Sequence, residues 1–577
     1  MKRFNKIDKH VFLLALPGLA YILVFTLYPI LNNFYLSLHE QDIYGHLHWV
    51  GLGNYKWFTV DPYFNNILHN TLLYSLATPT IDIILAVPIA IALKRIGGKW
   101  LIPLMVSAFI PWVTAAMAWY LFLNPNYGLG YYLFAYGIIH TNPMMSKWTI
   151  VLIDVWETLP TSVLLIYAGL RAIPKSIEEA AHADGLTGAK KLLSVDLPLV
   201  IPNILTAFIL ATLAGFFTFD PIYIGTSQAG PRILDDLAFY AYVNFFNLEP
   251  GYAAALIVLM TIISTILSVA YLKLMYSKKA MRLPVPRFIP NKEVPKVLHY
   301  LVLGIVLVFI LVPFAWLILV SLKTPLEVIQ TPPTILPHHI SLGNYKCALW
   351  VSCNHPGVPM GGLPFLITSL GVSTINVLIT VLLAGMLAYA MSVHRFGGNK
   401  LVTYILYLTA TPTLIYIIPF YIILKHLNII NTWWGLILVY PVMTIPYNTW
   451  ILYNYYKTFP KQMEEAALAD GMSRIKAFFK VVLPLNKSGL SVAAIYAFIF
   501  SWGALVFPLA FTYTPLDLRH FWRLSGAETY SIYIAMLMSP ATASYGAVAA
   551  AGILSSLPPL VLLVLARNNL EKLWGLR

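Results

Sequence analysis

Charged residues are scarce in this sequence: they make up 10% of its 577 residues, and cysteine occurs twice. No G-x-x-x-x-G-K-[ST] phosphate loop occurs, so the chain lacks the usual ATP-binding loop. The fourteen histidines show neither the H-E-x-x-H spacing nor a paired metal spacing, and no G-x-S-x-G nucleophile motif is present. We therefore expect no catalytic residue, no metal site and no bound cofactor in this chain.

Apolar residues dominate instead, at 59% of the chain. Apolar runs of about 20 residues, long enough to cross a hydrocarbon layer roughly 30 Å thick, recur along the whole length. We predict an all-α integral membrane fold with about twelve transmembrane helices in two sets of six. The predicted helices cover residues 11–36, 68–93, 101–123, 148–170, 201–219 and 251–276, and then 298–322, 366–393, 401–424, 433–456, 488–512 and 543–566.

The formal net charge of +14 reflects how the chain crosses the membrane and does not indicate a surface that binds nucleic acid. Of the 37 Lys and Arg residues, 29 lie in the two termini and in alternate loops, and only eight lie in the remaining loops. By the positive-inside rule this asymmetry predicts a multi-pass protein of a prokaryotic plasma or inner membrane, with both termini in the cytoplasm. We expect membrane lipid around the chain and no nucleic-acid partner.

The chain contains an internal tandem repeat. The octapeptide "EEAAHADG" at 178–185 returns as "EEAALADG" at 464–471, and "LGNYK" at 52–56 returns at 342–346. Six helices per repeat return the chain to the same side, so the two repeats are predicted to be parallel. We predict a first repeat at 1–276, a cytoplasmic linker rich in Pro, Lys and Arg at 277–297, and a second repeat at 298–577.

Each octapeptide predicts a cytoplasmic helix–turn–helix, within segments 174–198 and 460–484. In the first copy Ser176 is a candidate N-cap with Glu179 as its capping-box partner, and Gly185 can take the left-handed conformation that ends the helix. Small alanines beside paired acids form a narrow surface that another protein can grip. The only difference inside the octapeptide, His182 against Leu468, is either a distinction between two partner sockets or a neutral surface change.

The repeated segments resemble the cytoplasmic signature of permease subunits of binding-protein-dependent ABC importers. That signature is Glu-Ala-Ala, three residues, Gly, nine residues, an aliphatic residue, one residue and Leu-Pro, and both copies match its spacing. "WVGLGNYKWF" at 49–58 and "IPFYIILKHLNIINTWWGLILVYP" at 418–441 are similar to the two permeases of maltose-type or glycerol-phosphate-type sugar importers. The resemblance implies two permeases fused in one chain.

It also implies partners and contact residues. The partners would be a cytoplasmic ABC ATPase dimer, which binds ATP and Mg, and an extracytoplasmic sugar-binding protein. The residues implied to engage the ATPases are Glu178, Glu179, Ala180, Ala181 and Gly185 in the first copy, and Glu464, Glu465, Ala466, Ala467 and Gly471 in the second.

Candidate substrate residues lie in the span ahead of the first signature. Asp154 and Glu157 share one helical face, and carboxylates inside a span usually face a wet cavity or a partner. Trp156 could offer a ring face to a sugar, and Thr158 adds a hydroxyl. The resemblance places Asp154, Glu157 and Thr158 on sugar-contacting positions. In the second repeat Thr444 stands at a matching place, and Asn448 lies one turn further in. Alternatively, Asp154 is simply interfacial.

Two other functions, and the bonding state of the two cysteines, stay open. A proton-driven secondary transporter also uses parallel six-helix repeats. A membrane-embedded transferase would need a polar catalytic cluster in a loop, which the sequence lacks. Cys347 and Cys353 fall in one loop predicted to be extracytoplasmic, where either a disulfide or two free thiols are compatible with the compartment.

Overall fold

The computed structural model describes residues 9–42, 44–137, 142–143, 146–229, 232–275, 295–350, 361–409, 411–538 and 544–573. The labelled helices of the first half are α1 (Lys9–Ile22), α2 (Phe64–Ile96), α3 (Trp112–Leu123), α4 (Lys147–Arg171), α5 (Lys175–Ala183), α6 (Leu197–Phe216) and α7 (Pro250–Met275). Those of the second half are α8 (Lys296–Ser321), α9 (Leu363–Val393), α10 (Gly398–Thr409), α11 (Ile417–His426), α12 (Pro441–Tyr456), α13 (Lys461–Ala469), α14 (Lys487–Gly503) and α15 (Tyr545–Leu573).

Shorter elements connect these helices. The chain continues from α1 through a π-helical turn at Leu23–Leu27 into Tyr28–Leu36. The short helices are Gly53–Lys56, Leu101–Leu104, Gly130–Ala135, Gly188–Lys191, Asp220–Ala229, Leu237–Phe246, Pro325–Val328, Gly343–Leu349, Trp433–Val439, Arg474–Ala477, Leu483–Leu485, Val506–Phe511 and Tyr530–Leu537. The strands β1 (His39–Gln41) and β2 (Leu47–Trp49) pair antiparallel, with His39 opposite Trp49, Glu40 opposite His48 and Gln41 opposite Leu47.

Membrane-spanning helices make up most of the molecule, which confirms the predicted all-α membrane fold. Within the described ranges, nine helices are long and apolar enough to cross a bilayer. Two bent pairs raise the number to eleven: Gly398–Thr409 with Thr413–His426, bent by 96°, and Arg474–Leu485 with Lys487–Gly503, bent by 84°. The third predicted span, 101–123, does not reach this length, because it is divided into the short helix Leu101–Leu104, a 3₁₀ turn at Ser107–Phe109 and the 12-residue helix α3.

Proline breaks the third predicted helix of each half. The predicted continuous helices at 101–123 and 401–424 are wrong, because α3 restarts after Pro111 and the second-half segment restarts after Pro412. Both prolines have extended backbone, with ψ of 139° and 132°, and Ile110 before Pro111 is extended as well. Proline disfavours a helical residue before it and lacks the amide that would continue the helix, while leaving the apolar pattern intact.

Each half is built around a three-helix core. In the first half α2, α4 and α6 pack together, and in the second half α9, α12 and α14 repeat that arrangement. The first helix of each half packs on the other half: α1 packs on α9 of the second half, and α8 packs on α2 and α3 of the first half. A Cβ added to Gly18 of α1 would lie 2.9 Å from the Leu383 carbonyl oxygen of α9, so a glycine permits this close crossing. The two sequence repeats are therefore interlocked by their first helices.

The repeated LGNYK pentapeptide ties the end of each first helix in the same way. Asn54 Nδ2 donates to the carbonyl oxygens of Ser37 at 2.9 Å and His39 at 2.8 Å, and Tyr55 donates to Ser37 Oγ at 2.7 Å. The helix ends at Leu36, so these bonds supply donors to carbonyl groups at and just beyond its C-cap, Ser37, where the helical hydrogen-bond pattern has stopped.

The second half repeats these bonds atom for atom. Asn344 Nδ2 donates to the carbonyl oxygens of Ser321 at 3.0 Å and Lys323 at 2.8 Å. The Tyr345 hydroxyl lies 2.8 Å from Ser321 Oγ. The pentapeptide is thus a repeated structural clamp, which accounts for its presence in both halves.

A glycine of the last helix lies directly beneath each clamp. A Cβ on Gly251 of α7 would lie 2.1 Å from the His39 carbonyl oxygen, and a Cβ on Gly546 of α15 would lie 2.6 Å from Asn344 Oδ1. The backbone contact at Gly251 requires glycine, and at Gly546 a Cβ would force the Asn344 side chain to shift. In each half the clamp joins the first helix, which packs on the opposite half, to the last helix of its own half.

Two predictions concern regions that are only partly described. Cys347 is buried in the Gly343–Leu349 helix and is disulfide-bonded, whereas Cys353 lies outside the described residues. The predicted linker at 277–297 is described only from Pro295 onward, where α8 begins at Lys296. Its boundaries stay predictions.

Candidate functional site

The two copies of the signature fold as the predicted helix–turn–helix. The first helices α5 and α13 both begin directly after a proline, Pro174 and Pro460. The predicted Ser176 N-cap is wrong: α5 starts at Lys175, and its N-cap is Pro174, whose side chain has no atom that can accept a hydrogen bond. The left-handed turns are confirmed, with φ of +71° at Gly185 and +82° at Gly471.

The first glutamate of copy one holds α5 against the helix bundle. Glu178 Oε1 lies 2.7 Å from Lys94 Nζ at the end of α2 and 3.8 Å from Lys191 Nζ. Asp196 lies 3.6 Å from Lys191, so the two lysines and two carboxylates form one network. The hydrogen bond from Lys94 is the largest of several causes that lower the pKa of Glu178. Glu178 is therefore ionised at physiological pH, and its ion pairs hold α5 against the helix bundle.

The equivalent glutamate of copy two has the same task with different partners. Glu464 Oε1 accepts from Arg474 Nη1 at 2.8 Å and lies 3.3 Å from His394 Nε2. Burial alone would raise the pKa of Glu464, but His394, Tyr389 and Arg474 beside it outweigh burial and lower that pKa. Partner residues from two directions thus fix α13 to the end of α9.

The second glutamate of each pair points outward. Glu179 and Glu465 are exposed, as are Ala180 and Ala466 next to them, whereas Ala181 and Ala467 are buried against the bundle. Each helix therefore presents one free carboxylate and a small apolar step to the outside. A carboxylate on such a face can form charge-assisted hydrogen bonds with basic groups of a docked protein.

The predicted carboxylate site is buried within the first half. Asp154 Oδ1 accepts a hydrogen bond from Thr218 Oγ1 at 2.8 Å. Thr158 Oγ1 donates to the Asp154 carbonyl oxygen at 2.8 Å and lies 3.2 Å from Asp82 Oδ1, which adds a carboxylate from α2. Asp82 Oδ2 and Asp154 Oδ2 are buried and have no hydrogen-bond partner among the described residues. Sequence reasoning gave Asp82 no partner, although it is the only carboxylate in α2.

Glu157 and Trp156 are neighbours in α4 but make different contacts. Glu157 is buried, and its Oε1 has no partner among the described residues. Trp156 is fully buried, and its indole N–H donates to the carbonyl oxygens of Phe309 and Ile310 in α8. The structure therefore places Trp156 at the contact between α4 and the crossing helix of the second half.

The predicted residues of the second half form a neutral polar group. The Thr444 hydroxyl lies 2.7 Å from the Thr380 hydroxyl and 3.5 Å from Asn376 Oδ1. Asn448 is buried one turn further along α12, and neither its Oδ1 nor its Nδ2 has a partner in the described part of the chain. The carboxylate and hydroxyl side chains of each predicted group form their hydrogen bonds within their own half. Trp156 does reach the second half, but it contacts α8 rather than Thr444 or Asn448.

A cavity of about 510 Å³ lies between the two halves. Its walls include Tyr223, Thr226 and Phe239 of the first half and Thr512 and Glu528 of the second half. The predicted substrate residues are absent from its walls. Sequence reasoning missed this cavity because its polar residues lie at or beyond the ends of the predicted spans, where polar side chains carry no special signal.

The sequence matches the family described as the binding-protein-dependent transport system inner membrane component, over residues 63–275 and again over 380–574. Together the two regions cover more than half of the chain. The chain belongs to this family. It is a multi-pass inner-membrane permease whose family region occurs twice, which confirms the prediction of two fused permeases.

Single permeases from other organisms match about half of this fused permease. It is 33% identical over 221 residues to a sulfoquinovosyl glycerol transport system permease of Agrobacterium fabrum, covering 38% of this chain and 75% of that protein. It is 31% identical over 274 residues to the trehalose/maltose transport system permease MalF of Thermococcus litoralis, covering 45% of this chain and 92% of that protein. A diacetylchitobiose uptake system permease of Streptomyces coelicolor is 31% identical over 204 residues, covering 35% of this chain and 65% of that protein.

Proposed function

We propose that this fused permease is the complete transmembrane part of an ATP-driven sugar importer. The observation that carries the proposal is the pair of helices α5 and α13. Each has one glutamate held by basic residues of the bundle and an adjacent glutamate that is free on the surface. A helix that is fixed on one side and exposed on the other can transmit the movement of a docked protein into the membrane.

The docked proteins in this proposal are two cytoplasmic ATPase subunits, which bind ATP and Mg. Their approach on ATP binding would move α5 and α13 together. The ion pairs at Glu178 and Glu464 would pass this movement to α2 and α9, which are the central helices of the two cores. Because each core also holds the first helix of the other half, both halves would move in concert and expose the pathway to alternate sides.

The proposed cargo is a sugar delivered by an extracytoplasmic sugar-binding protein. The family description refers to a binding protein, and the printed names of the three relatives refer to transport of sugars or sugar derivatives. The excess of Lys and Arg in the two termini and in alternate loops supports cytoplasmic positions for both termini and for α5 and α13.

Buried polar groups within the two cores are the proposed substrate contacts inside the membrane. Asp154, Glu157 and Thr158 would accept or donate hydrogen bonds in the first half, with Thr444 and Asn448 in the second half. Buried atoms without partners, such as Asn448 Oδ1 and Nδ2, favour this assignment because an unmet hydrogen bond is costly until a ligand supplies it. Trp156 would act by holding α4 against α8.

Uptake into proteoliposomes distinguishes this proposal from an ion-coupled transporter. The buried carboxylates Asp82 and Asp154 would suit such a transporter too, because one oxygen of each has no hydrogen-bond partner among the described residues. The vesicles contain the permease, its ATPase and its binding protein, with radiolabelled trehalose as the probe. We expect uptake to require ATP and to persist when a protonophore is added. Uptake that continues without the ATPase and stops with the protonophore would overturn the proposal in favour of ion coupling.

A further inference from the structure

Glu528 is a buried carboxylate with which no residue in the described part of the chain pairs. Its side chain lines the cavity between the halves, and only 5% of the residue is exposed. No hydrogen bond or ion pair reaches its carboxylate from the described residues, and burial raises its pKa above the ordinary value for glutamate. A buried charge is costly unless it is paired, so this position indicates a group supplied from outside the chain.

The backbone around Glu528 is held firmly in place. The Glu528 amide donates to the Thr514 carbonyl oxygen at 3.2 Å, and the Gly526 amide donates to the Asn431 carbonyl oxygen at 2.9 Å. Asn431 also donates from Nδ2 to Thr514 Oγ1 at 2.7 Å, which ties the two ends of the loop to one residue. After Glu528, the Tyr530 amide donates to Ser369 Oγ at 2.8 Å. The carboxylate is therefore positioned by the fold.

The remaining polar groups of the cavity are mainly hydrogen-bond acceptors. Thr512 Oγ1 donates its proton to the Pro508 carbonyl oxygen at 2.8 Å, and Thr226 Oγ1 donates to the Tyr223 carbonyl oxygen at 3.1 Å. The lone pairs of both hydroxyl oxygens thus remain for a ligand. With the Glu528 carboxylate they provide acceptors from both halves, which suits a ligand with several hydroxyl donors.

Aromatic rings and charge narrow the ligand class further. Tyr223 and Phe239 line the same cavity with their ring centroids 6.3 Å apart, and such rings can pack on the C–H face of a pyranose. Glu528 is the only charged residue among those that line the cavity in the described part of the chain. An anionic sugar would find no cation there and would be repelled. The volume of about 510 Å³ is within the range of small-molecule sites.

We propose that this cavity is a sugar subsite shared by both halves, in which Glu528 accepts hydrogen bonds from neighbouring hydroxyls of a neutral sugar and discriminates against anionic sugars. The inference rests on the proposed function for its substrate class. It assigns the leading polar contact of this subsite to the second half, outside the residues that the sequence predicted.

Saturation-transfer NMR on the purified full-length permease tests the subsite without the ATPase. The neutral probe is trehalose, and the matched anionic probe is a disaccharide that contains glucuronic acid. We expect trehalose to receive saturation on its C–H protons, and Glu528→Gln to weaken its apparent affinity at least tenfold. The glucuronate probe should bind the wild type weakly and Glu528→Gln more tightly, since the repulsion is gone.

Glu249→Gln is the control, because this exposed glutamate lies away from the cavity, and it should match the wild type for both sugars. If Glu528→Gln does not fold, Thr512→Val with Thr226→Val removes the two hydroxyl acceptors of the cavity and should weaken trehalose binding in the same assay. Wild-type affinity in Glu528→Gln, or in that double variant when it is the one measured, overturns the subsite. If the wild-type permease binds trehalose but shows no ATP-driven uptake, that result contradicts the proposed function and leaves the subsite standing.

Discussion

Replacing Glu179 and Glu465 together by Lys is expected to abolish ATP-driven sugar uptake while the chain stays folded. Both side chains are exposed, and both neighbours Glu178 and Glu464 keep their ion pairs in this variant. Each change removes a charge-assisted contact and adds a repulsive charge at the ATPase surface, so the two together should weaken ATPase binding at least about a hundredfold. The measurements are trehalose uptake into proteoliposomes and ATPase retention on the purified permease.

The control for this double variant carries the same change in charge elsewhere. Glu40 and Glu249 are also exposed, and both lie outside α5 and α13. Changing both to Lys should leave uptake and ATPase retention at wild-type levels. Normal uptake by the Glu179→Lys, Glu465→Lys variant would show that these helices do not couple the permease to the ATPases.

Adding one methyl group at Gly251 is expected to destabilise the permease strongly. The new Cβ of Gly251→Ala would lie 2.1 Å from the His39 carbonyl oxygen and 3.0 Å from Asn54 Nδ2. A backbone carbonyl cannot rotate away, so α7 or the end of the first helix must shift. We expect a loss of about 3 kcal/mol of unfolding free energy, at the upper end for overpacking. Thermal unfolding in detergent, followed by size-exclusion chromatography, measures the shift.

Two further glycines calibrate this result. Gly546→Ala meets a side chain, Asn344, rather than a backbone carbonyl, so its loss should be smaller than that of Gly251→Ala. Gly304 of α8 has open space where its Cβ would be, and Gly304→Ala should be neutral or slightly stabilising, because Ala is the better helix former. Equal melting temperatures for the Gly251 and Gly304 variants would contradict the close-contact role of the clamp.

Most of the fold could be predicted from the sequence because bilayer thickness fixes the length of an apolar helix. Long spans such as α2, α4 and α9 match their predicted positions to within a few residues. The breaks at Pro111 and Pro412 were missed, since hydropathy does not change when a helix bends. The crossing of α1 and α8 to the opposite halves could not be predicted, because apolar surfaces that face lipid and those that face another helix have similar composition.

The candidate site was predictable where a pattern repeats. Two matched octapeptides identified α5 and α13, but only the structure separates the anchoring Glu178 from the exposed Glu179, since adjacent glutamates are equivalent in sequence. The Asp82–Thr158 contact joins residues 76 positions apart, which no local spacing reveals. Glu528 was missed because a carboxylate in a loop is ordinarily solvated, and its burial depends on how the two halves meet.

The central claim is that one fused permease supplies both docking sites of an ATPase dimer. Native mass spectrometry of the purified complex measures this stoichiometry directly. The account predicts one permease chain with two ATPase subunits, and release of both subunits when Glu179 and Glu465 are changed to Lys. A complex of two permease chains with two ATPase subunits, or a permease that retains no ATPase, would contradict it.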